Sequence, residues 1–379
     1  MADIDYLLIG DTFSSLLVAS KLEKQGKRYL IVAQPDLIGR EYRASETPFG
    51  TFDHGISAQS ENTFDAELLG WLEDEMGLKI HEHAVDAAPQ TFQKGEFTNF
   101  IGFGQQSPEF YQALADYICD KYSLLIPHVH QWITHLLRDI PKERFVFQQV
   151  VKMNFEGDRL DSVTLSDRKA IKAAKVIYFD VFSKLMTHLP NGVLTGRALQ
   201  KISRAETWTS VYLDLIHRGN FTENRFIHVL YGTGKEAWPC VGVFESDTHL
   251  SHVPEGFDTN TRIQRSSWVT FVRGELTFDD EATGGALREV KRQIKRAYPD
   301  IFNEVLFEKV SVHPLSHNHL VGVEKGIEAD GRFTKLANLY VASPELSEKA
   351  LIWRQIDMAR RIQPAISGET NLEASSEIR

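Results

Sequence analysis

Cysteine is nearly absent from this chain, with two in 379 residues, Cys119 and Cys240. So few cannot make a disulfide framework, and their scarcity fits a reducing compartment. No apolar run reaches the roughly 18 residues that span a bilayer, so no transmembrane segment is expected. An excess of positive charge is also missing. The formal charge is −10, which argues against nucleic-acid binding. The opening MADIDYLLIG has no basic stretch before its apolar residues, so no secretory signal is read and a cytoplasmic location is expected. There is no internal repeat, no low-complexity block, and no H-E-x-x-H or G-x-S-x-G motif. What is present is ordinary for a globular protein: 42% hydrophobic and 25% charged residues, on a chain long enough for two intertwined domains.

The most informative stretch is DYLLIGDTFSSLLVASKLEKQGKRYLIVAQPD, residues 5–36. A buried strand over 6–9 leads through a turn into an apolar helix over 14–24. A second strand over 29–33 follows a turn at Gly26. This is the frame of a dinucleotide-binding βαβ unit, in which the turn reads G-x-G-x-x-G and an acid closes the second strand. Here the turn reads Gly10-Asp11-Thr12-Phe13-Ser14-Ser15, and Ala33 stands at the acid's place. Thr12 puts a side chain where backbone N–H groups would approach a pyrophosphate. Asp11 adds negative charge near a helix N-terminus that otherwise attracts phosphate. Ala33 cannot pair with ribose hydroxyls. Each lost charge-assisted hydrogen bond is worth about 1.5–3 kcal/mol, so several together remove most dinucleotide affinity.

Helices are expected over 62–78, 107–122, 126–140, 281–298 and 346–362. A β-meander over 144–180 should end in a buried strand, and a last buried strand falls at 338–343. The segments WTSVYLDLIHRG, FIHVLYG, CVGVFESD and SSWVTFVRGEL read as one antiparallel sheet.

This order resembles the FAD-binding fold of the amine oxidase, phytoene desaturase and protoporphyrinogen oxidase superfamily, across nearly the whole chain. Asp36-Leu37-Ile38-Gly39-Arg40 is similar to the family's D-x-I-G-G segment, and Phe52-Asp53-His54-Gly55 to its F-D-x-G segment. Residues 71–78, WLEDEMGL, resemble the helix that follows, which often ends in E-L-G-L. The meander resembles the family's three-stranded insert, with Val150-Val151 where an apolar residue lies beside the adenine. NLYVAS resembles the final G-L-Y-L-A-G-D, its Gly-Asp falling on Ser343-Pro344. The resemblance implies an α/β fold: a Rossmann-like FAD/NAD(P)-type domain from 1–60, 144–190 and 325–365, a discontinuous α+β substrate-type domain from 61–143 and 191–324, and a polar tail over 366–379. If a dinucleotide binds, its contacts are Gly10, Ser14, Arg40, Val151 and Ser343; no catalytic residue and no metal site is assigned.

Four cofactor-contacting segments depart from the family together: the Gly-rich turn, the strand-end acid, the Gly-Gly turn and the closing Gly-Asp. The expectation is therefore a flavin-fold protein without cofactor, serving as an accessory or binding protein for a protein partner or an apolar ligand. Rab GDP-dissociation inhibitors and Rab escort proteins, which share this fold without FAD, are the precedent. The alternative is a FAD-dependent amine oxidase- or desaturase-like enzyme with an altered flavin site.

Other clusters take ordinary readings. His313, His317 and His319, like His81 and His83, have no matching ligand set, and His128, His130 and His135 lack metalloprotease spacing. Lys291, Arg292, Lys295 and Arg296 make a basic helix stripe expected to be solvated. The aromatics Trp208, Tyr212, Phe226, Tyr231, Trp238, Phe244, Trp268 and Phe271 fill a core and could also wall a ligand cavity.

Overall fold

The structure is a computed structural model that describes residues 4–39, 42–56, 58–104, 107–118, 121–232, 239–245, 254, 255, 257, 262–313, 320 and 326–367. Its first layer is a five-stranded parallel sheet in the order Phe145–Val146, Tyr29–Val32, Ile4–Ile9, Ala173–Tyr178, Leu339–Val341. Leu7, Leu8, Ile31, Ile177, Leu339 and Val341 are fully buried, as parallel strands covered on both faces must be. Helix Phe13–Lys24 follows the first strand. Thr12 caps it by accepting from the Ser15 N–H, and Lys21 and Lys24 complement its C-terminal dipole. Its residues are buried on nearly every side because helices Val129–Asp139 and Leu351–Arg361 flank it.

The expected meander divides. Val150–Glu156, Arg159–Leu165 and Ala170–Ile171 form a small antiparallel sheet, while Ala173–Tyr178 joins the parallel one.

The second layer is a seven-stranded sheet in the order Val305–His313, Trp208–Arg218, Ile263–Arg273, Cys240–Glu245, His228–Leu230, Gln90–Gln93, Glu96–Asn99. It is larger than the four-segment antiparallel sheet read from sequence. The hairpin 90–99 attaches through a parallel pairing with His228–Leu230. Side-chain alternation sorts its two faces. Leu213, Leu215, Phe244 and Trp268 pack under helix Asp280–Ala297, whereas Trp208, Val243, Val269 and Phe271 face the helix Glu109–Ile118 side. The basic stripe of Asp280–Ala297 is partly neutralised: Lys291 pairs with Glu308 at 2.6 Å, Arg292 with Glu289, and Arg296 donates to the Tyr231 carbonyl.

Several expected helices are shorter, for local reasons. Asp65 restarts the chain as an N-cap, accepting from Leu68 N–H at 2.9 Å, so a 3-10 turn Glu61–Thr63 precedes helix Ala66–Met76. Residues 122–126 pair with His81–Val85 as a strand and so separate Glu109–Ile118 from Val129–Asp139. Pro344 opens a 3-10 turn, Pro344–Leu346, and the last long helix begins only at Leu351.

His217 is enclosed between Phe221 and Phe244, with ring centroids at 4.9 and 5.8 Å, and burial pulls its pKa down to about 4. A base held neutral in the fold stabilises fully above its unfolded value near 6.5. That contribution is lost as pH falls from there toward 4, an upper bound of roughly 3 kcal/mol. His217→Phe should flatten the acid limb of a urea-denaturation pH series; an unchanged slope between pH 6.5 and 4 would contradict this.

Candidate functional site

The βαβ turn is sealed by the chain itself. Asp11, Thr12, Phe13, Ser14 and Ser15 are each at most 4% exposed. The Ser14 N–H donates to Gln355 Oε1 at 3.3 Å, and the Ser14 hydroxyl donates to the Gln355 carbonyl at 2.7 Å. Ser15 N–H donates to Thr12, and Gly39 N–H to the Asp11 carbonyl at 2.7 Å. The Phe13 ring lies 6.1 Å from Trp132, which is fully buried. A Cβ at Gly39 would stand 2.6 Å from Ile133. Helices Val129–Asp139 and Leu351–Arg361 thus pack against the helix that the turn opens.

Of the residues named from sequence, Gly10 and Ser343 come together at the Asp180 backbone. Gly10 has φ +131, and a Cβ there would meet the Asp180 backbone at 3.0 Å, so strand packing alone requires glycine. Ser14 is held by Gln355. Ser343 is buried and its hydroxyl donates to the Asp180 carbonyl at 2.5 Å. Val151 is 59% exposed on the meander. Arg40 lies outside the described residues, as do His317, His319, Trp238 and Cys119.

An open cavity of about 1310 Å³ lies between the two layers. Phe110, Trp208, Tyr212, Val269 and Phe271 wall it, Asp53 and His54 reach its floor, and Pro344 and Gln355 close the far end. Phe110 stacks on Trp208 at 4.8 Å and meets Phe271 edge-on at 4.8 Å, a rigid aromatic surface. Gly10, Ser14, Ala33, Val151 and Ser343 do not line it.

Beneath the floor is a buried charged cluster. Asp214 and Arg265 sit on neighbouring strands, 3.3 Å apart. Arg265 also pairs with Glu245 at 2.6 Å and donates to the Asp53 carbonyl. The Ser267 hydroxyl donates to Asp214 at 2.6 Å. His54 directs Nδ1 at Asp214 (3.2 Å) and Nε2 at Nε2 of His313 (2.6 Å), so one of the two rings donates to the other. His128 and His130 both place Nδ1 on the Asp53 carboxylate, at 2.8 and 2.7 Å.

Burial opposes ionisation of Asp53, but the hydrogen bonds from His128 and His130 outweigh it and hold the carboxyl well below its ordinary range. Burial likewise works against Asp214, whose contacts with His54 and Arg265 nevertheless bring it down to about 2. Hydrogen bonding to Asp53 raises His128. Both ring nitrogens of His54 point at protein groups, so the cluster acts as an electrostatic clamp joining the Gly50–Asp53 segment and helix Val129–Asp139 to the second sheet.

In the sequence His128, His130 and His313 read as separate histidines without a ligand set, and Asp214 and Arg265 belong to no motif. The available signal was polar residues at inward positions of otherwise apolar strands, YLDLI and IQRSSW. Among the described residues no group of three or more His, Cys, Asp or Glu is arranged for a metal ion, and no helix is long and apolar enough to cross a membrane. Cys240 is fully buried, and burial pushes its thiol far above the ordinary value, which leaves it inert.

No protein-family profile and no curated protein sequence matches the chain. Solved structures do. A putrescine oxidase bound to putrescine superposes with a TM-score of 0.59 at 12% identity, covering 96% of this chain and 98% of that one. Cyclohexylamine oxidase from Brevibacterium oxydans gives 0.62 at 12% identity, over 97% and 99%. An oxidoreductase from Methanosarcina mazei gives 0.63 at 10% identity, over 96% and 100%. A Rossmann-like parallel sheet, an antiparallel insert and a large second sheet, matched over nearly the whole length of these structures, give this chain the fold of these oxidases.

Proposed function

We propose that this chain uses the flavin-oxidase fold as a binding protein for an apolar, ring-bearing small molecule in the interlayer cavity, without FAD at its βαβ turn. The carrying observation is the contrast between a turn whose Ser14 and Ser15 N–H groups are committed to Gln355 and Thr12 and a cavity of about 1310 Å³ that stands open beside it. The turn residues do not fit a dinucleotide. A pyrophosphate would have to displace Gln355 and then find Thr12 and Asp11 in place of glycine and open backbone, with no acid at Ala33 for the ribose. Each buried hydrogen bond given up costs about 1 kcal/mol, before the loss of Phe13 and Trp132 packing. The cavity suits a ligand: it is concave, mostly apolar, and exceeds the usual 300–1,000 Å³ of small-molecule sites only slightly.

A second reading, a FAD-dependent oxidoreductase with an altered flavin site, draws on the amine-oxidase neighbours and on Pro344, at the family's flavin-side segment, lining the cavity. Its substrate class would be an amine. Titration of FAD into the purified chain separates the two readings: no saturable binding is expected under the first, and stoichiometric uptake under the second.

A further inference from the structure

We propose that the cavity selects a monoanionic amphiphile, with its apolar body on the Phe110–Trp208 stack and its carboxylate or sulfonate held by Arg273 and Arg204. This inference rests on the cavity being a ligand site. Four basic side chains line the cavity, and two of them are already committed. Lys349 pairs with Asp65 at 2.7 Å, and Arg354 donates to the Lys349 carbonyl at 2.6 Å. Arg273 and Arg204 have no ion-pair or hydrogen-bond partner among the described residues, and both are exposed at the cavity rim.

Their placement is fixed by the fold. Arg273 ends strand Ile263–Arg273 and stands directly across the ladder from Trp208. The next residue, Gly274, donates to the Thr207 carbonyl at 2.7 Å, and a Cβ on it would lie 1.9 Å from the Thr207 hydroxyl, so the two segments approach closely at this corner. Arg204 is the last residue of helix Gly196–Arg204, four positions before Trp208. Both arginines are thus attached to the chain within a few residues, or one ladder rung, of Trp208. A planar guanidinium takes a carboxylate or sulfonate through paired N–H donors while the ligand's body stays on the ring face.

The rim also carries Glu109, Asp116, Glu206 and Glu348. Glu206 accepts from the Trp208 indole N–H at 3.4 Å. These carboxylates set the limit: one negative charge meets the two arginines, and a second would face the acids.

The test uses two fluorescent probes of the same shape, 1-anilinonaphthalene-8-sulfonate and the uncharged N-phenyl-1-naphthylamine, titrated into the folded chain and into Arg273→Gln and Arg204→Gln. Both probes should bind the parent with saturation at one site. Arg273→Gln should weaken the sulfonate probe about tenfold, as loss of one charge-assisted contact does, while the neutral probe changes less than about twofold. Equal loss for both probes, or no change for either in both variants, overturns the anion assignment and leaves the cavity as a ligand site. Failure of both probes to bind the parent at a single site overturns the ligand-site reading itself.

Discussion

Replacing Arg265 by methionine is expected to destabilise the chain by about 3–5 kcal/mol, the range for removing one partner of a buried ion pair. Arg265 is 2% exposed, and its guanidinium is the counter-charge for Asp214 and Glu245 while it also donates to the Asp53 carbonyl. Glu245 is partly exposed and can turn to water, but the Asp214 side chain is 7% exposed and cannot. Methionine keeps the volume, so the loss reads as charge and not as a cavity. Asp214, held at about 2 in the parent, contributes stability above its ordinary 3.8 that is lost as pH falls toward 2. Without Arg265 its pKa should rise toward the ordinary value, so this acid-dependent contribution should shrink. Urea denaturation at neutral pH measures the cost, and Asp214→Asn added to Arg265→Met should recover part of it. A cost below about 1 kcal/mol would show that the cluster is not a clamp.

Gly242→Val should cost at least about 3 kcal/mol, the upper end for overpacking. Gly242 lies directly across the ladder from Trp268, and a Cβ there would fall 2.1 Å from the indole Cε3. The ring has nowhere to go: Trp268 is fully buried, edge-on to Phe244 at 5.6 Å and beside His228 at 5.8 Å. The strain should appear as a lowered melting temperature with altered near-UV circular dichroism, and Trp268→Leu should relieve some of it. A variant as stable as the parent would mean that the indole repacks freely.

Much of the fold is legible in the sequence because it is written locally. The apolar runs at Ile4–Ile9 and Tyr29–Val32, and the periodic helix between them, need no distant information. The helix Asp280–Ala297 announces itself with acids in its first turn and bases in its last. The seven-stranded sheet is only half legible, since nothing in TFQKGEFTN says that this hairpin pairs with a strand more than a hundred residues later.

The site is harder still. Glycines missing from the βαβ turn can be read off, but the group that fills their place, Gln355, comes from the far end of the chain. The clamp draws on the segments around Asp53, His128, Asp214, Arg265 and His313, and no one of them carries a motif. Gly10 and Ser343 are read as cofactor contacts from their place in the family pattern, yet each has a packing or hydrogen-bonding role that holds without any cofactor.

The visible absorbance of the purified chain, before and after incubation with excess FAD and desalting, is the most direct measurement of the central claim. A turn sealed by Gln355 and Trp132 predicts no flavin bands after desalting, and none in Thr12→Gly/Ala33→Glu either, because restoring the family's residues leaves Ser14 held by Gln355. Flavin bands that survive desalting in the parent chain would contradict the account and place this chain with the flavin-dependent oxidoreductases.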